Sequence, residues 1–238
     1  MNEWYHRYIG RKLLTAESYY LDKIISRLFG YYLVQLGGPA DHDFLAKNLI
    51  THKLRVDPED LGLGSNFIRA DFDALPFLPE SIDVFVVAHV LEFVRNPRVV
   101  LEEVYQALAA GGSLVIFGFN AFSIWGMVKL FKNRKNFPWH GRFWSVWRVQ
   151  RWLKRLDLEI VERHTCCFNL PLGKFCCLSI PNWLERILDF LLPGCGASYV
   201  LLCKKRIIPL NPIKERLLRK QLSVAKSCIK PTSYYEKN

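Results

Sequence analysis

The chain has 238 residues and a formal net charge of +11, and its hydrophobic and aromatic residues make up 50% and 14% of it. This apolar content excludes a disordered or low-complexity chain and is enough for one sizeable core. The most apolar stretches are short and carry charges, and the N-terminus lacks the apolar segment of a secretory signal, so we expect a cytoplasmic protein.

In the first part of the chain, one helix precedes four short apolar strands. Helical spacing of apolar residues predicts a helix over residues 16–29, which Gly30 ends. Asp41 and Asp43 are suited to cap a short helix that ends near Asn48. Apolar runs bounded by turn residues predict strands at residues 31–36, 52–56, 67–68 and 82–88.

The second part continues the alternation of helices and strands. Residues 97–109 have the spacing of an amphipathic helix, and Gly111-Gly112 follows as its stop. Further apolar patterns predict strands at residues 113–117, 158–164 and 199–203, and helices near 123–132, 144–155 and 181–191. Continuous rather than alternating apolar strands are typical of strands covered on both faces. The pattern therefore predicts an α/β fold with a mostly parallel sheet and helices on both faces.

The charge separates a folded body from a basic end. From Lys204 onward the chain has ten Lys and Arg against two Glu, so this end carries +8 and the remaining residues carry +3. We predict one domain over residues 1–208, which includes the N-terminal helix and a late helical insertion, and a basic, flexible tail over 209–238. Such a tail is either a solvated end or a segment that binds nucleic acid or anionic lipid.

Several residues at the ends of the predicted strands have the chemistry of a ligand site. In a parallel sheet, ligands bind outside the carboxyl ends of the strands, near the switch in strand order. Glycine lets backbone amides approach a ligand closely, and an aspartate there can accept hydrogen bonds from ribose hydroxyls. The residues delivered to this edge are, in strand order, Gly37 and Gly38, Asp57, Asp71 and Phe72, His89, and Asn120.

Residues 67–120 carry a more specific pattern. Asp71 precedes Leu75-Pro76-Phe77, an Asp83-containing strand follows, and Leu108 leads through a helix end into Gly111-Gly112 and another strand. This stretch resembles the class I S-adenosylmethionine-dependent methyltransferases. The resemblance implies a Rossmann-like, seven-stranded, mostly parallel sheet with an antiparallel last strand, S-adenosylmethionine as cofactor, and in-line transfer of a methyl group.

The resemblance also implies cofactor contacts at individual residues. Gly37 and Gly38 would lie against the methionine part, and Asp57 would hold the ribose hydroxyls. The Asp71 carboxylate would accept the adenine amino group, and the Phe72 amide would reach a ring nitrogen. Ala88 and His89 would border the sulfonium and its methyl group.

The first strand departs from the family pattern. Gln35 stands where an acidic residue is usual, and the later glycines of the family's turn are absent. Gln35 can accept a hydrogen bond from the cofactor's ammonium group without supplying a charge, which costs on the order of 1 kcal/mol of binding. A protein that has this fold but does not transfer methyl groups is therefore the alternative to the enzyme.

A neutral methyl acceptor can require a general base, although many such enzymes have none. His89 is the first candidate because its strand end faces the expected methyl position. Glu92, one turn further on, would orient it, and His140 is more remote. The opposing interpretation is that neither His89 nor Glu92 is catalytic.

The remaining features bear on partners. Aromatic residues are dense in residues 137–152, which either line a pocket for a small apolar or aromatic substrate or pack helices onto the sheet. The helix 182–191 and the basic apolar run 125–135 are suited to peripheral contact with a membrane. No nucleic-acid motif accompanies the basic tail, which leaves nucleic acid as a lesser alternative. The seven cysteines lack metal-ligand spacing, and we predict no metal site.

Overall fold

A computed structural model describes residues 2–39, 49–59, 66–131, 137–166 and 196–207. The predicted helices near Asn48 and at 181–191, and the predicted tail at 209–238, lie outside these residues. The described part of the chain contains all seven predicted strands. They are β1 (Tyr32–Gly37), β2 (His52–Asp57), β3 (Phe67–Arg69), β4 (Ile82–Ala88), β5 (Leu108–Phe119), β6 (Leu158–Cys166) and β7 (Ser198–Lys205).

The strands form one sheet with the order β3-β2-β1-β4-β5-β7-β6. The neighbouring pairs from β3 through β5 are parallel. β7 runs antiparallel to both β5 and β6. The predicted Rossmann-like sheet, mostly parallel and with an antiparallel last strand, is therefore confirmed.

Five helices accompany the sheet in the described ranges. They are α1 (Asn2–Tyr5), α2 (Tyr8–Ile25), α3 (Pro97–Ala107), α4 (Ile124–Phe131) and α5 (Val146–Arg155). None of these described helices is long and apolar enough to cross a bilayer.

Helices cover both faces of the sheet because the strands are apolar on both sides. On one face, Phe85 and Val87 of β4 share a core with the buried sides of α3 and α5. On the other face, Val84 and Val86 share a second core with Leu21 and other residues of α2. A continuous apolar run such as β4 is what a strand between two cores requires.

Helix α2 differs from its predicted bounds of residues 16–29. It begins two turns earlier, at Tyr8, and ends at Ile25 rather than at Gly30. Its buried face continues toward the N-terminus through Leu13 and Gly10, where the backbone of Tyr5 and of its neighbour in α1 lies against the glycine. The earlier start therefore reflects packing on α1.

The Gly111-Gly112 pair was predicted to stop a helix, but it lies inside β5. Helix α3 ends at Ala107, and β5 pairs with β4 first through Leu108 and again from Ser113, with a register shift between. A Cβ on Gly112 would lie 2.9 Å from the carbonyl oxygen of Asp83. The glycines thus form an irregularity in the strand where two backbones approach closely.

The Asp83 side chain holds the start of β1 beside β4. Its Oδ2 atom accepts hydrogen bonds from the backbone amides of Tyr31 and Tyr32, at 2.8 and 3.0 Å. The link joins the two strands at the centre of the sheet, at their amino ends.

We expect Asp83→Ala to lower the free energy of unfolding by about 2 kcal/mol, because two backbone amides lose their acceptor. Urea denaturation measures the loss. The matched control is Asp73→Ala, at an exposed aspartate in the turn after β3. Equal stability of the two variants would contradict the role assigned to Asp83.

Candidate functional site

A pocket of about 420 Å³ lies at the carboxyl ends of β1, β2 and β4. This volume is within the usual range for small-molecule sites. The pocket is lined by residues that follow these strands and by two from the segment before α5: Gly37, Gly38, Asp57, Pro58, Glu59, Phe72, Ala88, His89, Val90, Phe93, Val94, Phe137 and His140.

The lining includes six of the eight residues predicted to contact the cofactor, namely Gly37, Gly38, Asp57, Phe72, Ala88 and His89. Gln35 and Asp71, the other two, are not part of it. Glu92, predicted to orient His89, is buried outside the lining.

Gly37 and Gly38 form a turn that presses against the end of β4. Both residues have positive φ values, 65° and 89°, which favour glycine. A Cβ on Gly37 would lie 2.7 Å from Val90 Cγ2 and 3.1 Å from the carbonyl oxygen of Ala88. A side chain at Gly37 would therefore displace the pocket wall.

Two side chains hold this turn through its carbonyl groups. The Gln35 amide donates a hydrogen bond to the Gly37 carbonyl at 2.8 Å. The Arg55 guanidinium, on the neighbouring β2, donates to the carbonyls of Gly38 and Pro39 at 2.7 and 2.9 Å. The turn thus has side-chain support in place of the later glycines of the family pattern.

Asp57 supplies an acceptor on the β2 side of the pocket. Its Oδ1 atom accepts a hydrogen bond from the Glu59 amide at 3.1 Å. Burial raises the pKa of Asp57, whereas this hydrogen bond and the charge of Arg55 act in the opposite direction. Since lone pairs remain on both oxygens, the carboxylate can accept further hydrogen bonds from a ligand.

Asp71 and Asn120 lie away from the lining. Asp71 is exposed beside Phe72, so its predicted contact with adenine stays a prediction. Asn120 is fully buried, where its amide donates to the Gly196 carbonyl at 3.1 Å and its Oδ1 accepts from the Phe122 amide. Asn120 therefore holds the loop after β5 and does not point to a ligand role.

His89 lies between two buried glutamates. Its Nε2 atom is 3.0 Å from Glu17 Oε1, on α2, and Glu17 also accepts a hydrogen bond from Ser198 at 2.5 Å. Its Nδ1 atom is 3.6 Å from Glu92 Oε1, which is too long for a hydrogen bond. Glu92 Oε1 instead accepts a hydrogen bond from the Phe119 amide.

These neighbours determine the protonation state of His89. Burial by itself lowers the pKa of His89, but the charge and hydrogen bond of Glu17, together with Glu92, raise it to about 10. The raised pKa favours the imidazolium form, which cannot accept a proton from a substrate. This geometry does not favour its predicted role as general base.

Sequence reasoning missed Glu17, although a signal exists. The buried positions of α2 include Leu13, Glu17, Leu21 and Ile24, so a charged residue lies within an apolar stripe of helical spacing. Burial of a carboxyl group requires a partner, and His89 is that partner.

The aromatic residues of the segment 137–152 divide between the pocket and the core. Phe137 lines the pocket, where its ring stacks on Phe93 with centroids 5.1 Å apart, and His140 lies beside them. Trp144 and Trp152 instead pack in the core under α5.

Residues 41–116 match the family model described as a methyltransferase domain. The matched segment, less than half of the chain, therefore resembles a methyltransferase domain. Its sheet and helices have the class I fold, as the structural comparisons show.

The chain has relatives in sequence and in structure. The chain is 28% identical over 230 residues to the uncharacterized protein YafS of Escherichia coli strain K12, with 93% of this chain and 90% of YafS covered. A SAM-dependent methyltransferase from Thermotoga maritima has a TM-score of 0.65 at 20% identity, covering 86% and 93% of the two chains. The N-methyltransferase NodS from Bradyrhizobium japonicum, in complex with S-adenosylhomocysteine, has a TM-score of 0.53 at 16% identity, covering 84% and 89%.

The resemblance to methyltransferases implies S-adenosylmethionine as cofactor, and the pocket fits it. Gly37 and Gly38 line the pocket with backbone alone, so no side chain stands between this turn and a ligand. Asp57 offers carboxylate oxygens suited to a pair of ribose hydroxyls. Phe72 adds an aromatic ring for a planar base.

We expect His89→Gln to remove a pH-dependent part of the free energy of unfolding. Since the folded protein raises the pKa of His89 from 6.5 to about 10, the proton on His89 stabilises the fold fully below pH 6.5. This stabilisation, on the order of a few kcal/mol, is lost as the pH rises through about 10.

Urea denaturation at pH values between 6.5 and about 10 measures the free energies of unfolding of the wild type and of His89→Gln. Groups that titrate alike in both proteins cancel when one free energy is subtracted from the other. The gap in stability should narrow as the pH rises. A constant gap would show that His89 is not protonated in the folded protein.

Proposed function

We propose that this protein is an S-adenosylmethionine-dependent methyltransferase whose acceptor is a small apolar or aromatic molecule. The observation that carries the proposal is the pocket at the carboxyl ends of β1, β2 and β4, which combines the diglycine turn with a carboxylate and a group of aromatic rings. When bound, S-adenosylmethionine supplies an electrophilic methyl group on a sulfonium.

The pocket has two chemically different sides because β1 lies between β2 and β4. On the β2 side, Asp57 and Glu59 are hydrogen-bond acceptors that suit hydroxyl groups of the cofactor. The Gly37-Gly38 turn between the two sides would hold the cofactor's amino-acid part. The orientation of this turn depends on Gln35 and Arg55, whose side chains donate hydrogen bonds to its carbonyl groups.

The β4 side suits the methyl acceptor. Val90, Phe93, Val94 and Phe137 present aliphatic and aromatic surface there. Such surface excludes water and orients an apolar or planar molecule by burial rather than by hydrogen bonds. Proximity and orientation are the main contributions that a protein makes to an in-line displacement from an activated donor.

Among the three candidate bases, His140 is favoured over His89 and Glu92. It lines the pocket, is exposed to solvent, and has no carboxylate partner among the described residues. His89 instead lies between the buried carboxyl groups of Glu17 and Glu92, which raise its pKa. We therefore assign His140 as the group that takes a proton from a methyl acceptor that must lose one. We assign His89 to positioning of the carboxyl end of β4.

The second candidate function is a binding protein with this fold that does not transfer methyl groups. The position of Gln35 favours it, because the amide that replaces the usual acid is turned to the Gly37 carbonyl. Such a protein would bind S-adenosylmethionine weakly and leave its methyl group in place.

Calorimetric titration with S-adenosylmethionine tests the proposal at Asp57. We expect saturable binding by the wild type and a loss of affinity of about tenfold or more in Asp57→Asn, because a charged acceptor becomes a neutral amide. Acidification should weaken wild-type binding, since protonation of Asp57 removes the same acceptor. Asp73→Asn, outside the pocket, should bind like the wild type.

Methyl transfer is measured separately with S-adenosylmethionine labelled in its methyl group. Incubation with a small-molecule cell extract should move label into products that partition into organic solvent, and Asp57→Asn should reduce this. No detectable cofactor binding would overturn the proposal. Binding without transfer to any extract would favour the second candidate.

A further inference from the structure

The region between α3 and β6 has a one-sided charge. Residues 104–156 contain no Asp or Glu, whereas residues 129–155 alone contain nine Lys and Arg. Four of these basic residues, Arg148, Arg151, Lys154 and Arg155, are exposed on α5. A surface of this kind attracts anionic partners.

Large apolar side chains are exposed in the same region. Ile124, Met127 and Leu130 recur every third residue of α4, so they lie along one side of the helix. Phe122 precedes this helix, and its ring contacts that of Trp147 on α5, with centroids 5.8 Å apart. We call these five side chains the α4 surface; Met127 and Leu130 are 63% and 71% exposed.

We propose that the α4 surface binds an anionic lipid bilayer. A helix that lies at a membrane interface places apolar and aromatic side chains among the acyl chains and surrounds them with Lys and Arg, which contact lipid phosphates. The α4 surface supplies the apolar part, and the exposed basic residues of α5 supply the charges. The exposed aliphatic side chains of Met127 and Leu130 favour a bilayer over nucleic acid, which is bound through charge and ring stacking.

The proposal is independent of methyl transfer. It concerns side chains that do not line the pocket, so failure to bind S-adenosylmethionine would leave it untouched. Combined with the proposed function, however, it indicates that the apolar acceptor comes from the lipid phase.

Vesicle sedimentation tests the proposal with the full chain, using phosphatidylcholine vesicles with and without phosphatidylserine. The test variant is Met127→Gln with Leu130→Gln, which removes apolar surface without changing charge. The matched control is Leu78→Gln, at a leucine that is 76% exposed before β4, near the amino ends of the parallel strands. The α4 surface follows the opposite end of β5.

We expect the wild type and Leu78→Gln to bind phosphatidylserine-containing vesicles equally, and the double variant to bind about tenfold more weakly. Absence of wild-type binding would overturn the proposal. Undiminished binding by the double variant would also overturn it, because the basic tail or charge alone would then account for the affinity. Binding to single-stranded RNA but not to vesicles would assign the basic surface to nucleic acid instead.

A second measurement compares the wild type with Trp147→Phe and leaves Met127 and Leu130 unchanged. Brominated phospholipids quench tryptophan that enters the acyl region, so the quenched fraction should fall in Trp147→Phe. An unchanged quenched fraction would contradict insertion of the α4 surface. Thermal melting confirms that each variant is folded.

Discussion

The reversal of strand order between β1 and β4 is the constraint on which the site depends. The chain leaves β1 toward β2 on one side, whereas β4 lies on the other side and leads to β5. A crevice opens where the two connections diverge, at the carboxyl ends of the strands. Gly37 pairs there with Ala88, and the absence of a side chain lets the turn lie against the β4 end.

A buried charge cluster adds the N-terminal helix to this arrangement. Glu17 on α2 contacts both His89, after β4, and Ser198, at the start of β7. Buried ionisable groups are unfavourable unless they are paired, so α2 is held at a fixed position beside the pocket. The same pairing raises the pKa of His89, which does not favour this histidine of the pocket wall as a general base.

The sequence determined the strands well because continuous apolar runs depend only on burial from both faces. The residues at their ends followed from topology, which is why Gly37, Asp57 and His89 share one pocket. Other features arise from tertiary contacts that no local pattern contains. The protonation of His89 depends on Glu17, 72 positions away, and the irregularity at Gly111-Gly112 depends on the backbone of Asp83. Glu17 itself could have been predicted from the sequence, because it is a charged residue within an apolar stripe.

We infer that the diglycine turn, Asp57 and the β4 end form one cofactor site. A crystal structure of the protein with S-adenosylhomocysteine tests this inference most directly. We expect ligand density in the pocket, with the ribose hydroxyls beside Asp57 and the sulfur near Ala88. Density at another place on the molecule, with this pocket filled by the protein's own side chains, would contradict it.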